Sequence, residues 1–265
     1  MLAALALTSV LTVSPAQIDL KNVRTTYGVL GQDRKEDKIL PGDILVVAFD
    51  IEGLKVKEDG RVLYAMGMEL TKKGKDKPEF KRDPQDLEAV NSLGGTKLPA
   101  FAFFVTSPDT APGEYTAKVV VKDRQSKESE KVLERSFEVL PAKLGFVRTR
   151  FTSSTGEPVS PLALVPGQRV FVHYTLVGFE LGKDKLPHIT IEMQVLDESG
   201  KPTVEKFYKG DLKSDVSKTP GEMNFVPVQL DINRSGKFKI LLKATCNISK
   251  KTTEQILDLG VLGEK

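Results

Sequence analysis

Residues 41–53 read PGDILVVAFDIEG, and residues 166–178 read PGQRVFVHYTLVG. Both stretches alternate with period two. Leu45, Val47, Phe49 and Ile51 fall on one side of an extended strand. Val170, Val172, Tyr174 and Leu176 repeat that side in the second stretch. Successive strand side chains point to opposite faces, so each run specifies a strand packed on a core. Pro-Gly is turn chemistry that launches each strand, and Gly53 and Gly178 stop it.

The correspondence reaches further than the quoted runs. Upstream, Val23-Arg24-Thr25 matches Val147-Arg148-Thr149. Downstream, Tyr64, Met66, Met68 and Leu70 match Ile189, Ile191, Met193 and Val195, and Gly113-Glu-Tyr115 matches Gly236-Lys-Phe238. A repeat of this length is a duplicated domain, because solenoid units recur every ~20–50 residues. The expected organisation is a leader over 1–16, a first domain over 17–141 and a second over 142–265. About seven strands are expected in each domain. In the first they lie near 18–27, 43–52, 62–71, 78–82, 99–106, 114–123 and 131–140. In the second they lie near 143–151, 168–177, 187–196, 203–209, 223–231, 237–247 and 253–262. One helical signal interrupts them: Asp83 suits a cap, Pro84 a first helical position and Gly94-Gly95 an exit, predicting a short helix over 83–90.

Seven short strands with regular turns point to an all-β fold of two tandem antiparallel Ig-like β-sandwiches. The stretch Pro112-Gly113-Glu-Tyr115-Thr-Ala-Lys-Val119-Val-Val121-Lys-Asp123, followed by Phe137-Glu-Val139, resembles the last two strands of bacterial extracellular Ig-like and fibronectin type III-like modules. The resemblance implies the sandwich architecture and names no ligand. The second copy departs from it, with Phe238 in place of the tyrosine and Thr245-Cys246 in place of the aspartate. The chain has no Trp and a single Cys, so the Cys…Trp…Cys pattern of antibody-type domains is absent.

Residues 2–13 are apolar or small and uncharged, and Ser14-Pro15-Ala16 offers small residues for cleavage near Ala16. That pattern reads as a secretory signal peptide, although no Lys or Arg precedes it. The expected location is secreted, periplasmic or cell-surface. With one cysteine no internal disulfide can staple either domain, so each relies on its own core. The join at Val139-Leu140-Pro141-Ala142-Lys143-Leu144 has no Gly/Ser spacer and predicts a restricted hinge.

Catalytic patterns are missing. No GxSxG, HExxH, GxxxxGK[ST] or GxGxxG occurs. Cys246 shares a strand face with Phe238, Ile240, Leu242 and Ala244 and reads as a small buried hydrophobe. His173 and His188 fall on strands expected in different sheets, which disfavours a shared metal. The acidic loop of Asp33, Glu36 and Asp37 is interleaved with Arg34, Lys35 and Lys38, which suits solvent better than calcium. Net charge is +3 with both signs interspersed, so no nucleic-acid footprint exists. The expectation is therefore no enzyme, no cofactor and no metal.

One feature is positive. The face of the first run opposite its core face is Ile44, Val46 and Ala48, where the second run has Arg169, Phe171 and His173. A strand apolar on both sides is covered by something. Either the 71–98 segment covers it through Leu87 and Val90, or a partner protein or homodimer does. The function expected is a non-catalytic binding, adhesion or structural module. A carbohydrate- or polymer-binding module and a periplasmic chaperone acting by strand addition are the alternatives.

Overall fold

The computed structural model describes residues 17–126, 129–206, 208–213 and 221–263. The apolar leader and the cleavage site near Ala16 lie outside the described residues. Those described form strands and loops, with no helix among them.

In the first half the strands are β1 (Asp19–Thr26), β2 (Lys38–Ile39), β3 (Ile44–Glu52), β4 (Arg61–Lys72), β5 (Phe80–Val90), β6 (Leu98–Val105), β7 (Gly113–Asp123) and β8 (Glu130–Val139). They make a three-stranded sheet, β1-β3-β6, and a five-stranded sheet, β2-β8-β7-β4-β5. All pairings are antiparallel except the short β2–β8 contact. Leu45, Val47, Phe49 and Ile51 from one sheet meet Met68, Leu70, Tyr115, Val119 and Phe137 from the other in one buried cluster. That is sheet-on-sheet packing, with the period-two face of β3 turned inward as its sequence dictates.

The second half repeats the plan with β9 (Gly145–Ser153), β10 (Arg169–Val177), β11 (Ile189–Asp197), β12 (Tyr208–Leu212), β13 (Glu222–Asn224), β14 (Val228–Asp231), β15 (Gly236–Cys246) and β16 (Thr252–Val261). β10 is flanked by β9 on one side and by β13 and β14 on the other; the facing sheet runs β12-β11-β15-β16. Val170, Val172, Tyr174 and Leu176 pack with Ile189, Ile191, Ile240, Leu242 and Cys246 in a second cluster.

Three details depart from the sequence reading. Residues 83–90 are strand, not helix: they continue β5, which pairs with β4 along its length. The register shifts where Asp83 and Pro84 together oppose Gly67. A Cβ on Gly67 would stand 3.0 Å from the Pro84 ring, so glycine makes room for proline there. β5 is an edge strand, where a missing N–H costs no ladder bond, and edge pairing won over the local capping signal.

The second departure is a slip. Leu20 pairs with Ile51 and Phe146 with Leu176, while Thr25 pairs with Val47 and Phe151 with Val172. The two Val-Arg-Thr triplets therefore sit two residues out of step. An even slip keeps every side chain on its face, so the letters misalign while the fold does not. In both halves a bulge lies opposite the same strand position: Asn22 and Val23 oppose Phe49, and Arg148 and Thr149 oppose Tyr174. Each bulge opens on a left-handed residue, Asn22 at φ 51 and Arg148 at φ 54.

Third, Leu87 and Val90 do not cover the Ile44–Ala48 face. They belong to β5 in the opposite sheet. Residues 30–33 line a recess with Ala48, together with Ser160, Leu162 and Asp258 of the second half. Arg34 lies across this end of β1 and β3, donating to the Thr26 and Ile44 carbonyls and stacking 4.3 Å from the Tyr27 ring.

The halves meet tightly. The Asp43 carboxylate, following the first Pro-Gly, accepts from Arg34 Nη2 (2.8 Å) and from the Arg148 backbone N–H (2.8 Å). Arg148 in turn forms a bidentate pair with Glu222, whose side chain is 1% exposed. The Gln32 amide reaches the rim of β16, donating to Ile256 O and accepting from Asp258 N.

Candidate interaction site: an uncharged sheet edge

Each sheet ends in strands whose outer backbone groups can pair with another chain. Natural sheets guard such edges with charges, proline, bulges or short length. β1 carries Lys21, Arg24 and a bulge; β2 has two residues; β5 carries Lys81, Arg82, Asp83, Pro84, Asp86 and Glu88. In the second half β9, β12, β13, β14 and β16 each contain at least one Asp, Glu, Lys or Arg. Among the described residues only β6, LPAFAFFV, is an edge strand without a charge. Its one guard is Pro99, at its start.

β6 is also apolar on both faces. Ala100, Ala102 and Phe104 enter the core. On the other face, Phe103 is 41% and Val105 62% exposed, with Phe101 half-buried beside them. Cross-strand register sets these beside the residues named from the sequence: Val105 opposite Ile44, Phe103 opposite Val46, Phe101 opposite Ala48. Of the named three, Ile44 is half-buried, while Val46 and Ala48 are 1% and 5% exposed. Ala48 and Phe101 open on a recess of about 510 Å³ shared with Leu30 and with Leu162 of the second half. The apolar stripe thus begins under cover on β3 and emerges on β6. Sequence reasoning named its covered part and missed the exposed part, although the unbroken apolar run of residues 98–105 was the signal.

The start of this edge is pinned. Lys97, just before β6, pairs with Asp50 at 2.7 Å, and Asn22 of β1 donates to the same carboxylate. Burial works to raise the Asp50 carboxyl, but those two hydrogen bonds, with the charges of Lys97 and Arg24, together outweigh it and hold the group below its ordinary value. β3 is therefore tied to both neighbours at one point.

The remaining polar candidates do not converge. His173 Nε2 lies 2.8 Å from the Thr152 hydroxyl, and burial, with Arg150 second, lowers its pKa. His188 Nε2 lies 3.0 Å from Asp211, beside the opposite sheet. Cys246 is fully buried in the second core. Asp33 pairs with Arg24 and Asp37 with Arg135. No group of three His, Cys, Asp or Glu able to hold a metal occurs among the described residues. Among the same residues, no helix is long and apolar enough to cross a membrane.

Among the described residues the strands form all-β sandwiches with one bare edge. No known protein-family pattern and no curated protein matches this chain. Solved structures similar to it include dimeric latent PorU from Porphyromonas gingivalis, at 11% identity and TM-score 0.36, over 98% of this chain and 22% of that one. Another is trypsin-activated alpha-2-macroglobulin from Escherichia coli, at 12% identity and TM-score 0.32, over 95% and 17%. A third is the C-terminal domain of the Streptococcus pyogenes antigen I/II-family protein AspA, at 10% identity and TM-score 0.29, over 93% and 100%. The chain spans about a fifth of the first two.

Proposed function

We propose that this is a non-catalytic binding module of the bacterial cell envelope or exterior, built as two tandem domains, which engages a protein partner by strand addition at β6. The observation that carries this reading is the uncharged edge β6, with Phe103 and Val105 exposed beside it. In strand addition, main-chain hydrogen bonds supply affinity, and alternate side chains supply selectivity through neighbouring apolar ground. Here that ground is Phe101, Phe103 and Val105. The non-catalytic part rests on the separation of the two histidines and on the burial of the one thiol; the Thr152 hydroxyl held against His173 is itself buried. Secretion rests on the apolar leader, and the mature chain is expected to begin at Gln17, which N-terminal sequencing of the exported protein checks.

A synthetic array of eight-residue peptides with alternating apolar side chains tests the edge. The wild-type chain is expected to bind a subset of these, with new hydrogen-exchange protection along 98–105. Phe103→Lys places a charge on the exposed face and is expected to abolish binding while leaving the circular dichroism unchanged. Equal binding by a folded Phe103→Lys variant, or protection falling on another strand, would overturn the assignment.

A further inference from the structure

The two cores differ at the end where β8 and β16 finish, which adjoins the join in the first half and lies away from it in the second. In the first half that end is filled by Leu70, Phe104, Tyr115 and Phe137, each 4% exposed or less. Strand register gives their counterparts. Tyr115 pairs with Phe137 as Phe238 pairs with Leu259; Leu70 faces Ala117 as Val195 faces Ile240; Phe104 lies one step from the Ile44–Val105 pair as Leu230 lies one step from Arg169–Asp231. At all four places the second half carries the smaller side chain: Val195, Leu230, Phe238 and Leu259. These residues line an open pocket of about 440 Å³. Its volume falls in the ~300–1,000 Å³ range of small-molecule sites, and its wall has their composition, apolar with few polar groups.

The polar part is at the mouth. Asp231 is engaged by Arg169 and Gln229. Arg234 makes no ion pair among the described residues; its guanidinium stacks 5.0 Å from the Phe238 ring. A cation held over the rim of an apolar pocket selects a ligand with an apolar body and an anionic head. We infer that the second half binds a small amphiphilic anion, a medium-chain carboxylate in type, with its chain among Val195, Leu230 and Phe238 and its head on Arg234.

Octanoate, octanol and octylamine at neutral pH, titrated calorimetrically into the full chain, test this. Octanoate is expected to saturate one site, and octylamine to bind at least about tenfold more weakly, the head carrying the wrong charge. Val195→Leu with Leu230→Phe rebuilds the packing of the first half and is expected to abolish octanoate binding while raising the melting temperature, so loss of binding cannot be confused with unfolding. Arg234→Gln is expected to weaken octanoate about tenfold and leave octanol unchanged. No saturable octanoate binding by the wild type, or undiminished binding by the folded filled variant, overturns the site. Equal affinity for the three head groups overturns its anionic selectivity.

Discussion

The two halves share a plan and differ where it matters for binding. β6 of the first half is one continuous strand, while its counterpart in the second is split into β13 and β14 by Phe225-Val226-Pro227. Conversely, the end of the core where β8 finishes, against the join, is sealed in the first half, and the matching end where β16 finishes is open in the second. One half exposes an edge and the other a pocket. Strand pairing conserves the inward faces, and freedom to diverge lies in the outward faces and at the sandwich ends.

Several substitutions break or sharpen that contrast. The largest effect is expected at the slipped triplets. Arg148→Met removes the partner of the buried Glu222, and a stranded buried carboxylate costs about 3–5 kcal/mol. Arg24→Met, the same letter in the other half, removes an exposed pair with Asp33 and should cost no more than about 1 kcal/mol. Chemical denaturation of both variants reads the asymmetry; equal losses would mean that the triplets are equivalent after all.

Next is the pair Phe49 and Tyr174, which occupy one strand position in the two halves. Desolvation, with Tyr208 second, pushes the Tyr174 hydroxyl up to about 12. The folded chain keeps that proton after the unfolded chain has lost it near pH 10, so stability should fall as pH rises from 10 towards 12. The full loss is about 2–3 kcal/mol, at 1.36 kcal/mol per unit. Tyr174→Phe, which copies the first half, should flatten this part of a melting-temperature profile.

A smaller effect separates Tyr115 from Phe238. The buried Tyr115 hydroxyl donates to Ala111 O at 2.8 Å, the tyrosine corner of Ig-type sandwiches. Tyr115→Phe should cost about 1 kcal/mol by denaturation, whereas Phe238→Tyr, at the open end, should change stability by less than about 0.5 kcal/mol. Smallest of all is Phe103→Lys, within about 0.5 kcal/mol, because its ring is exposed. A larger loss there would make Phe103 part of the core rather than of a binding edge.

Much of this was legible in the residues. Period two placed Leu45–Ile51 and Val170–Leu176 in two cores, while Val46 and Ala48, named as an outward face, are buried and sit across from Phe103 and Phe101 of β6. The helix over 83–90 misled because Asp83-Pro84 is a capping signal locally, and only the neighbouring Gly67 makes the same pair fit a strand edge. The slip of Val-Arg-Thr was illegible because an even shift leaves the alternation intact. The pocket lay hidden for another reason. Leu for Phe and Val for Leu are conservative replacements in a linear reading, and only register shows that they gather at one end.

The Gln32 amide on the rim of β16 has a consequence for the order in which the molecule is made. Its partners, Ile256 and Asp258, lie 224 and 226 residues further along. On the ribosome the 27–37 segment emerges long before them, so the clasp between the halves closes only when the final strand has been synthesised and docked. Until then Gln32 is solvated, and both the recess beside Ala48 and the free side of β16 stand open to water and to any chaperone at hand.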